Sequence, residues 1–155
     1  GTKFTIYLPL IDSNKRTDEQ KDLSVPHGNG CILYVDDEES IAALGREMLT
    51  PLGYEVIVCV SSSDALNIFR NDPQRFDLII TDMTMPNMTG IALAKEMIKI
   101  RPEIPIILST GFSEQITEEE SGRNGIREFL MKPVSLPALA QAVKRAMGQA
   151  ESATV

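Results

Sequence analysis

The fold is decided by a stretch in the middle of the chain, DLIITDMTMPNMTG (77–90), together with the helical pattern that follows it. Within residues 77–81, Asp77 is followed by apolar and β-branched side chains, which is typical of a buried strand, whereas residues 89–101 carry apolar side chains at helical spacing. Asp82 stands at the end of the strand, and Gly90 belongs to the turn that leads into the helix. The stretch is therefore a strand–loop–helix unit with a carboxylate at its junction.

The same alternation runs along the chain from Cys31 onward. The predicted strands are 31–35, 55–60, 77–81, 104–110 and 127–131, and the predicted helices are 41–53, 61–72, 89–101, 114–125 and 135–148. Strands that are apolar throughout need cover on both faces, which indicates a parallel sheet between layers of helices. Right-handed crossovers then bring the carboxyl ends of all strands to one edge. We expect an α/β, doubly wound (βα)5 domain.

Composition narrows the classes of function. The 155 residues fit one domain with tails, and 22 acidic against 15 basic residues give a net charge of −7, which argues against a nucleic-acid partner. No apolar run approaches the roughly 20 residues of a membrane span, so we expect no membrane contact by this chain. Cys31 and Cys59 are predicted to be core residues in a reducing, cytoplasmic compartment. With His27 as the single histidine, zinc chemistry and histidine catalysis are not expected.

Polar side chains follow four of the five predicted strands. They are Asp36 and Asp37, Asp82, Thr110, and Lys132. One aspartate after a strand is usually a helix cap, but four such positions at one edge favour a site. Three carboxylates repel one another unless a cation lies between them, and oxygen ligands alone favour Mg²⁺ or Mn²⁺. A lysine and a hydroxyl suit phosphoryl oxygens, and a carboxylate is able to act as the nucleophile that forms an aspartyl phosphate.

Residues 30–148 resemble the receiver domain of two-component response regulators. The resemblance rests on four motifs in order: YVDDE (34–38), DLIITDMTMPNMTG (77–90), PIILSTG (105–111) and FLMKP (129–133). It implies a flavodoxin-like sandwich whose parallel five-stranded sheet has the order 2-1-3-4-5. It also implies Mg²⁺ as the cofactor, with Mn²⁺ as a substitute.

The resemblance carries over residue by residue to the phosphorylation and metal site. Asp82 matches the phosphoacceptor of the family. Asp37 matches the direct metal ligand, and Asp36 matches the acidic residue that acts through water. The backbone carbonyl of Thr84 matches the third protein ligand. Catalysis is thus assigned to Asp82 with two further side chains.

Those two side chains are Thr110, which matches the hydroxyl residue that binds the phosphoryl group, and Lys132, which matches the family's lysine. Ser109, beside Thr110, is not the matching hydroxyl. Phe129 matches the switch aromatic that acts together with Thr110. The resemblance also implies a cis peptide bond between Lys132 and Pro133.

At two positions the chain departs from the pattern of the receiver family. They are Thr84 and Phe112, whose side chains line the approach of the hydrolytic water in the family. We expect them to alter the lifetime of the phosphoryl group. The polar segment 114–125 predicts only a weakly specified helix.

The N-terminal segment GTKFTIYLPL (1–10) resembles the closing strand of a histidine kinase ATP-binding domain. Residues 11–29 are predicted to be a linker, and residues 149–155 a tail. We therefore expect the C-terminal receiver of a hybrid sensor histidine kinase. Its partner is a histidine kinase or a histidine phosphotransfer domain, and the chain is expected to be a monomer or a weak dimer.

Three alternatives stay open at this point. The first is a free-standing single-domain response regulator with an accidental leader. The second is a phosphatase of the haloacid dehalogenase type, which needs an aspartate two residues after its nucleophile, where this chain has Thr84 after Asp82. The third is a pseudo-receiver that acts only as an interaction module, which loss of an acidic or lysine position would favour.

Overall fold

The computed structural model describes residues 26–111 and 125–151, and in these residues a five-stranded sheet forms the centre of the molecule. The strands are β1 (Cys31–Val35), β2 (Glu55–Cys59), β3 (Leu78–Asp82), β4 (Ile106–Thr110) and β5 (Ile126–Met131). Their order is β2-β1-β3-β4-β5, and every neighbouring pair is parallel. The predicted fold class and strand order are confirmed.

Four helices within the described ranges cover the sheet. They are α1 (Glu39–Leu49), α2 (Ser62–Asn71), α3 (Gly90–Ile100) and α4 (Leu136–Glu151). Helices α1 and α4 pack on one face, where Leu49 and Val143 are fully buried. Helices α2 and α3 pack on the other, where Phe69 and Met97 are fully buried. Each face thus has its own apolar core, as strands without an alternating polar pattern require.

The three inner strands are buried along their whole length, whereas edge strand β2 is partly exposed. This difference follows from topology, because an inner strand is covered by helices above and below and by strands on both sides. Strand β3 is central, and Asp82 is its last residue. The buried position of Asp82 is therefore set by the sheet and not by a mobile loop.

The first helix ends earlier than the sequence predicts. The pattern 41–53 predicts one helix that ends at Gly53, but α1 ends at Leu49 and a 3₁₀ turn follows at Thr50–Leu52. Pro51 explains the change, because proline has no N–H to continue the α-helical ladder. Gly53 nevertheless adopts the expected left-handed conformation, with φ of 100°.

Side chains cap the starts of α2 and α3. The Ser61 hydroxyl accepts a hydrogen bond of 3.3 Å from the backbone N–H of Asp64 at the start of α2. The Thr89 hydroxyl accepts one of 3.3 Å from Ala92 at the start of α3. Both caps fix the direction in which the chain leaves the carboxyl edge of the sheet.

Several predicted features lie outside the described residues. These are the leader strand 1–10, most of the linker 11–29, the helix over most of 114–125, and Phe112. The end of the predicted linker is described and already packs on the domain, because the Gly28 N–H donates a 2.9 Å hydrogen bond to the Leu52 carbonyl. In the stretches 26–111 and 125–151, no helix combines the length and apolarity needed to cross a bilayer.

Candidate functional site

Strand alternation directs two carboxylates to the same side of the sheet. Asp36 continues the alternation of Ile32 and Tyr34 in β1, and Asp82 continues that of Ile80 in β3; these three apolar residues all belong to the core under α1 and α4. β1 and β3 are hydrogen-bonded neighbours. Asp36 is 1% exposed and Asp82 is 7% exposed. The two predicted acidic residues therefore meet at the carboxyl edge, nearly withdrawn from water.

Lys132 joins these two carboxylates. Its ammonium nitrogen lies 2.5 Å from Asp82 Oδ1 and 3.0 Å from Asp36 Oδ2. The lysine follows β5, whose last residue pairs with Thr110 in β4, so its side chain crosses the carboxyl end of β4 to reach β3 and β1. The peptide bond from Lys132 to Pro133 is cis. The sheet thus gathers residues that are 96 positions apart into one ionic cluster.

The charges in this cluster shift two pKa values. Burial raises the pKa of Asp82, although the hydrogen bond and positive charge of Lys132 oppose that shift. Burial would lower the pKa of Lys132, but the hydrogen bonds to Asp82 and Asp36 outweigh it, so the lysine pKa lies above its ordinary value. Lys132 is therefore a permanent cation beside a carboxylate whose solvation has been replaced by protein contacts.

The second carboxyl oxygen of Asp82 is held by the loop after β3. Asp82 Oδ2 accepts a 2.9 Å hydrogen bond from the backbone N–H of Thr84, and the Thr84 side chain is exposed. The Gly90 N–H donates to the Met83 carbonyl at 2.9 Å, and a Cβ atom at Gly90 would overlap the Asp82 carbonyl oxygen. The glycine therefore lets α3 start directly against the strand end that carries Asp82.

The acidic pair divides into a buried and an exposed member. Asp36 Oδ1 accepts a 3.0 Å hydrogen bond from the Glu38 N–H, whereas Asp37 is exposed. Among the described residues, no group of three or more His, Cys, Asp or Glu side chains lies in position to hold a metal ion by itself. The possible metal ligands at this edge are all oxygen atoms. This fits Mg²⁺, an ion that keeps several waters and uses only a few protein ligands. Asp82, Asp37 and the Thr84 carbonyl would then hold it.

Thr110 and Phe129 lie on the opposite side of the sheet from Asp82. Thr110 continues the alternation of Leu108, and Phe129 is the register partner of Leu108 in β5. Thr110 is fully buried, and its hydroxyl donates to the Gly111 carbonyl at 3.2 Å. Phe129 is partly buried and packs on the core under α2 and α3. The two predicted switch residues are thus neighbours on one face.

Two side chains at the site were missed by sequence reasoning as functional candidates. Tyr34 is 4% exposed, and burial together with the charge of Asp36 raises its pKa to about 12. Ser109 is 2% exposed and is the register partner of Asp82. Strand alternation was the available signal, because both residues share the face of the carboxylates. Their contacts still required the three-dimensional arrangement.

The fold and this cluster define a class of protein: a parallel α/β domain with a buried aspartate at the end of its central strand, and an acidic pair and a lysine at the same edge. Residues 32–144 match the family described as "Response regulator receiver domain". The chain belongs to this family, and it is a receiver domain of two-component signalling.

Similar proteins include both kinases and regulators. The chain is 33% identical to the sensor kinase CckA of Brucella abortus over 93% of its own length, which is 16% of that protein. It is 33% identical to the transcriptional regulatory protein ZraR of Escherichia coli over 81% of its length, which is 28% of that protein. The chain thus spans less than a third of either relative.

Two similar solved structures are receiver domains that this chain covers almost completely. The crystal structure of a response regulator receiver domain protein from Clostridium thermocellum superposes with a TM-score of 0.76 at 31% identity. It covers 81% of this chain, and this chain covers 99% of it. A CheY-like receiver domain protein from Methanospirillum hungatei gives a TM-score of 0.74 at 28% identity over the same share of this chain.

Proposed function

We propose that Asp82 is the phosphoacceptor of this receiver and that the chain takes a phosphoryl group from a phosphohistidine on a histidine kinase or histidine phosphotransfer domain. The observation that carries the proposal is the contact of Lys132 with both Asp82 and Asp36 at the carboxyl end of the central strand. The buried carboxylate of Asp82 thus lies at the carboxyl edge of the sheet with the ammonium group of Lys132 beside it. That arrangement suits nucleophilic attack on an anionic group.

The proposed transfer is a displacement at phosphorus. An oxygen of the Asp82 carboxylate forms the new P–O bond, and the P–N bond to the donor imidazole breaks. The imidazole nitrogen keeps the electron pair of that bond and takes a proton from solvent. Lys132 places its positive charge near the incoming phosphoryl oxygens, and the Thr84 N–H holds the carboxylate in position.

The metal belongs to this proposal. Receiver domains in general use Mg²⁺, which when bound neutralises charge on the transferring phosphoryl group. On this chain Asp37 and Asp82 would supply carboxylate oxygens, Thr84 its backbone carbonyl, and Asp36 a contact through water. Asp37 is exposed and therefore accessible to a hydrated ion, whereas Asp36 is held by Lys132 and the Glu38 N–H.

Thr110 and Phe129 are the proposed switch. Thr110 is buried one residue beyond the register partner of Asp82, and Phe129 is its neighbour on the same face. A new anionic group on Asp82 gives the Thr110 hydroxyl a stronger acceptor than the Gly111 carbonyl it contacts here. Movement of Thr110 changes the space beside Phe129, which carries the signal toward β5.

The parent protein is proposed to be a hybrid sensor histidine kinase. The match to the sensor kinase CckA covers 93% of this chain, which leaves about 11 of 155 residues unaligned. Because 31 residues precede the family match at 32–144, that alignment extends well into the leader. The regulator ZraR matches only 81%. The leader GTKFTIYLPL (1–10), read as the end of a kinase ATP-binding domain, agrees with this origin.

Phosphotransfer from a purified, radiolabelled phosphohistidine donor tests the function. With Mg²⁺ present, the wild type should gain up to one phosphoryl group, Asp82→Asn should gain none, and the matched control Asp64→Asn, at an exposed aspartate in α2, should behave as wild type. Equal labelling of Asp82→Asn would overturn the assignment.

The coding sequence upstream of Gly1 tests the origin separately. A histidine kinase ATP-binding domain that runs directly into GTKFTIYLPL would support the hybrid kinase. A start codon close to Gly1 would favour the second candidate, a free-standing single-domain regulator. The similarity of the chain to the transcriptional regulatory protein ZraR supports this second candidate.

A further inference from the structure

Ser109 has a buried hydroxyl without a partner. The residue is 2% exposed, and its Oγ is the one buried side-chain polar atom in residues 26–111 and 125–151 that makes no hydrogen bond. Leaving a hydroxyl unpaired in a protein interior costs about 1–3 kcal/mol. Alanine would fit the same position on an inner strand without an unpaired hydroxyl, so the serine needs an explanation in another state of the protein.

The position of Ser109 relative to Asp82 supplies that explanation. The two residues are register partners on the adjacent parallel strands β3 and β4, which lie about 4.8 Å apart. Ser109 continues the alternation of Ile107, and Asp82 continues that of Ile80, and both of these isoleucines lie in the core under α1 and α4. Both side chains therefore stand on the same face of the sheet, next to each other at its carboxyl edge.

In the unphosphorylated arrangement the carboxylate of Asp82 is already held by other donors. Oδ1 contacts Lys132 and Oδ2 accepts from the Thr84 N–H. A phosphoryl group on Asp82 adds three anionic oxygens in the same place, and these accept more hydrogen bonds than Lys132, the Thr84 N–H and the Thr110 hydroxyl provide. Ser109 is the nearest in-register side chain with a hydroxyl to offer.

We propose that the Ser109 hydroxyl is a hydrogen-bond donor to Asp82 in its phosphorylated form. This inference rests on the proposed function of Asp82. Ser109 acts from the face that carries the carboxylates, whereas Thr110 lies on the other face. The hydroxyl is unpaired before phosphorylation and paired after it, so it stabilises the phosphorylated form relative to the unphosphorylated one.

Binding of beryllium fluoride, which has the shape and charge of a phosphoryl group, tests the inference without turnover. The dissociation constant is measured by fluorine NMR in the presence of Mg²⁺ for wild type, Ser109→Ala and Ser109→Cys. Cysteine keeps the shape of the side chain, with a larger sulfur in place of the oxygen, but is a weak donor. Both variants should bind about tenfold more weakly, the size expected for one hydrogen bond to a charged group. The control Ser62→Ala, at a buried serine in α2, should bind as wild type.

The thermal stability of the unliganded variants separates this role from packing. Removing an unpaired hydroxyl should leave the melting temperature of Ser109→Ala equal to or above that of wild type. Wild-type affinity in both Ser109 variants would overturn the inference, as would a weakened affinity of equal size in Ser62→Ala. Undiminished binding of beryllium fluoride to Asp82→Asn would instead overturn the proposed function, so the two failures are distinguishable.

Discussion

Lys132 is the side chain on which the charge balance of the site depends. It is 25% exposed and contacts two carboxylates that are both below 10% exposure. Without its positive charge, Asp36 and Asp82 would face each other as like charges in a region of low dielectric. The lysine therefore stabilises the unphosphorylated domain as well as serving the proposed transfer.

Lys132→Met should lower the free energy of unfolding by roughly 3 kcal/mol, the size typical for removing one partner of a buried ion pair. Saturating Mg²⁺ should recover more stability in this variant than in wild type, because the ion supplies the missing positive charge. Thermal melts with and without Mg²⁺ measure both effects. The surface change Lys99→Met, at an exposed residue of α3, is the control. Equal stability of both variants would contradict the structural role.

Asp37 should behave differently from its buried neighbour Asp36. Asp37→Ala is expected to weaken Mg²⁺ binding roughly tenfold, because one of few carboxylate ligands is lost. The exposed position of Asp37 means that water screens its charge, so the melting temperature of the metal-free variant should stay near that of wild type. Calorimetric titration with Mg²⁺ measures the affinity. An unchanged affinity would exclude Asp37 as a ligand.

The packing of the start of α3 against the end of β3 sets the position of Asp82. The close approach of Gly90 to the Asp82 carbonyl oxygen and to Leu108 leaves no room for a side chain. The hydrogen bond from Gly90 to Met83 fixes the same contact. Any residue larger than glycine must push α3 away from the strand end.

Gly90→Ala should therefore destabilise the domain by about 1–3 kcal/mol, as overpacking of a filled site does. It should also slow phosphorylation, because Asp82 and the Thr84 N–H are displaced together. Gly148→Ala is the matched control: a Cβ there meets nothing within 4 Å, and alanine in a helix is favoured over glycine by about 0.5–1 kcal/mol. Chemical denaturation of both variants measures the difference. A Gly90→Ala domain as stable as wild type would show that the junction can relax.

The entry of the chain into β1 is a second element whose role can be measured. The Gly28 N–H bonds to Leu52, and the Tyr54 ring lies where a Gly28 side chain would be. Deleting residues 1–25 should leave the melting temperature within about 1 °C of the full chain. Deleting residues 1–29 should lower it by about 2–4 °C, the effect of about one hydrogen bond in a domain of this size.

Both truncated chains should still bind Mg²⁺ and accept a phosphoryl group, because Gly28 and Leu52 lie at the end of the sheet opposite Asp82. Calorimetry and labelling of the two truncations provide the comparison. A large loss of stability on deleting only 1–25 would show that the leader packs on the receiver, and the proposed boundary before the domain would then be misplaced.

At the level of the whole molecule, the sequence was sufficient for the architecture. Apolar runs without alternation predicted a sheet covered on both faces, and the inner strands are buried along their length. The end of α1 was predicted less well, because Pro51 breaks the ladder inside a pattern that stays apolar to Gly53. The spacing of apolar residues determines which element forms, whereas the competition between α-helical and 3₁₀ turns determines where a helix ends.

The sequence was enough to predict which residues form the site, but not which of them contact one another. Position after a strand singled out Asp36, Asp82 and Lys132, and the structure joins these three through one ammonium group. Asp36 is buried and held by Lys132 and the Glu38 N–H, whereas Asp37 is exposed, and this difference depends on contacts between distant parts of the chain. That the buried Ser109 hydroxyl has no hydrogen-bond partner depends on its three-dimensional surroundings, and no sequence pattern encodes it.

Direct mapping of the phosphorylated residue tests the assignment of Asp82 as the phosphoacceptor. The chain is phosphorylated with acetyl phosphate and Mg²⁺, reduced with borohydride so that an aspartyl phosphate becomes homoserine, and sequenced by tandem mass spectrometry. We predict homoserine at position 82 alone, and none when Mg²⁺ is chelated. Homoserine at another aspartate of the wild type, or labelling that persists in Asp82→Asn, would contradict it.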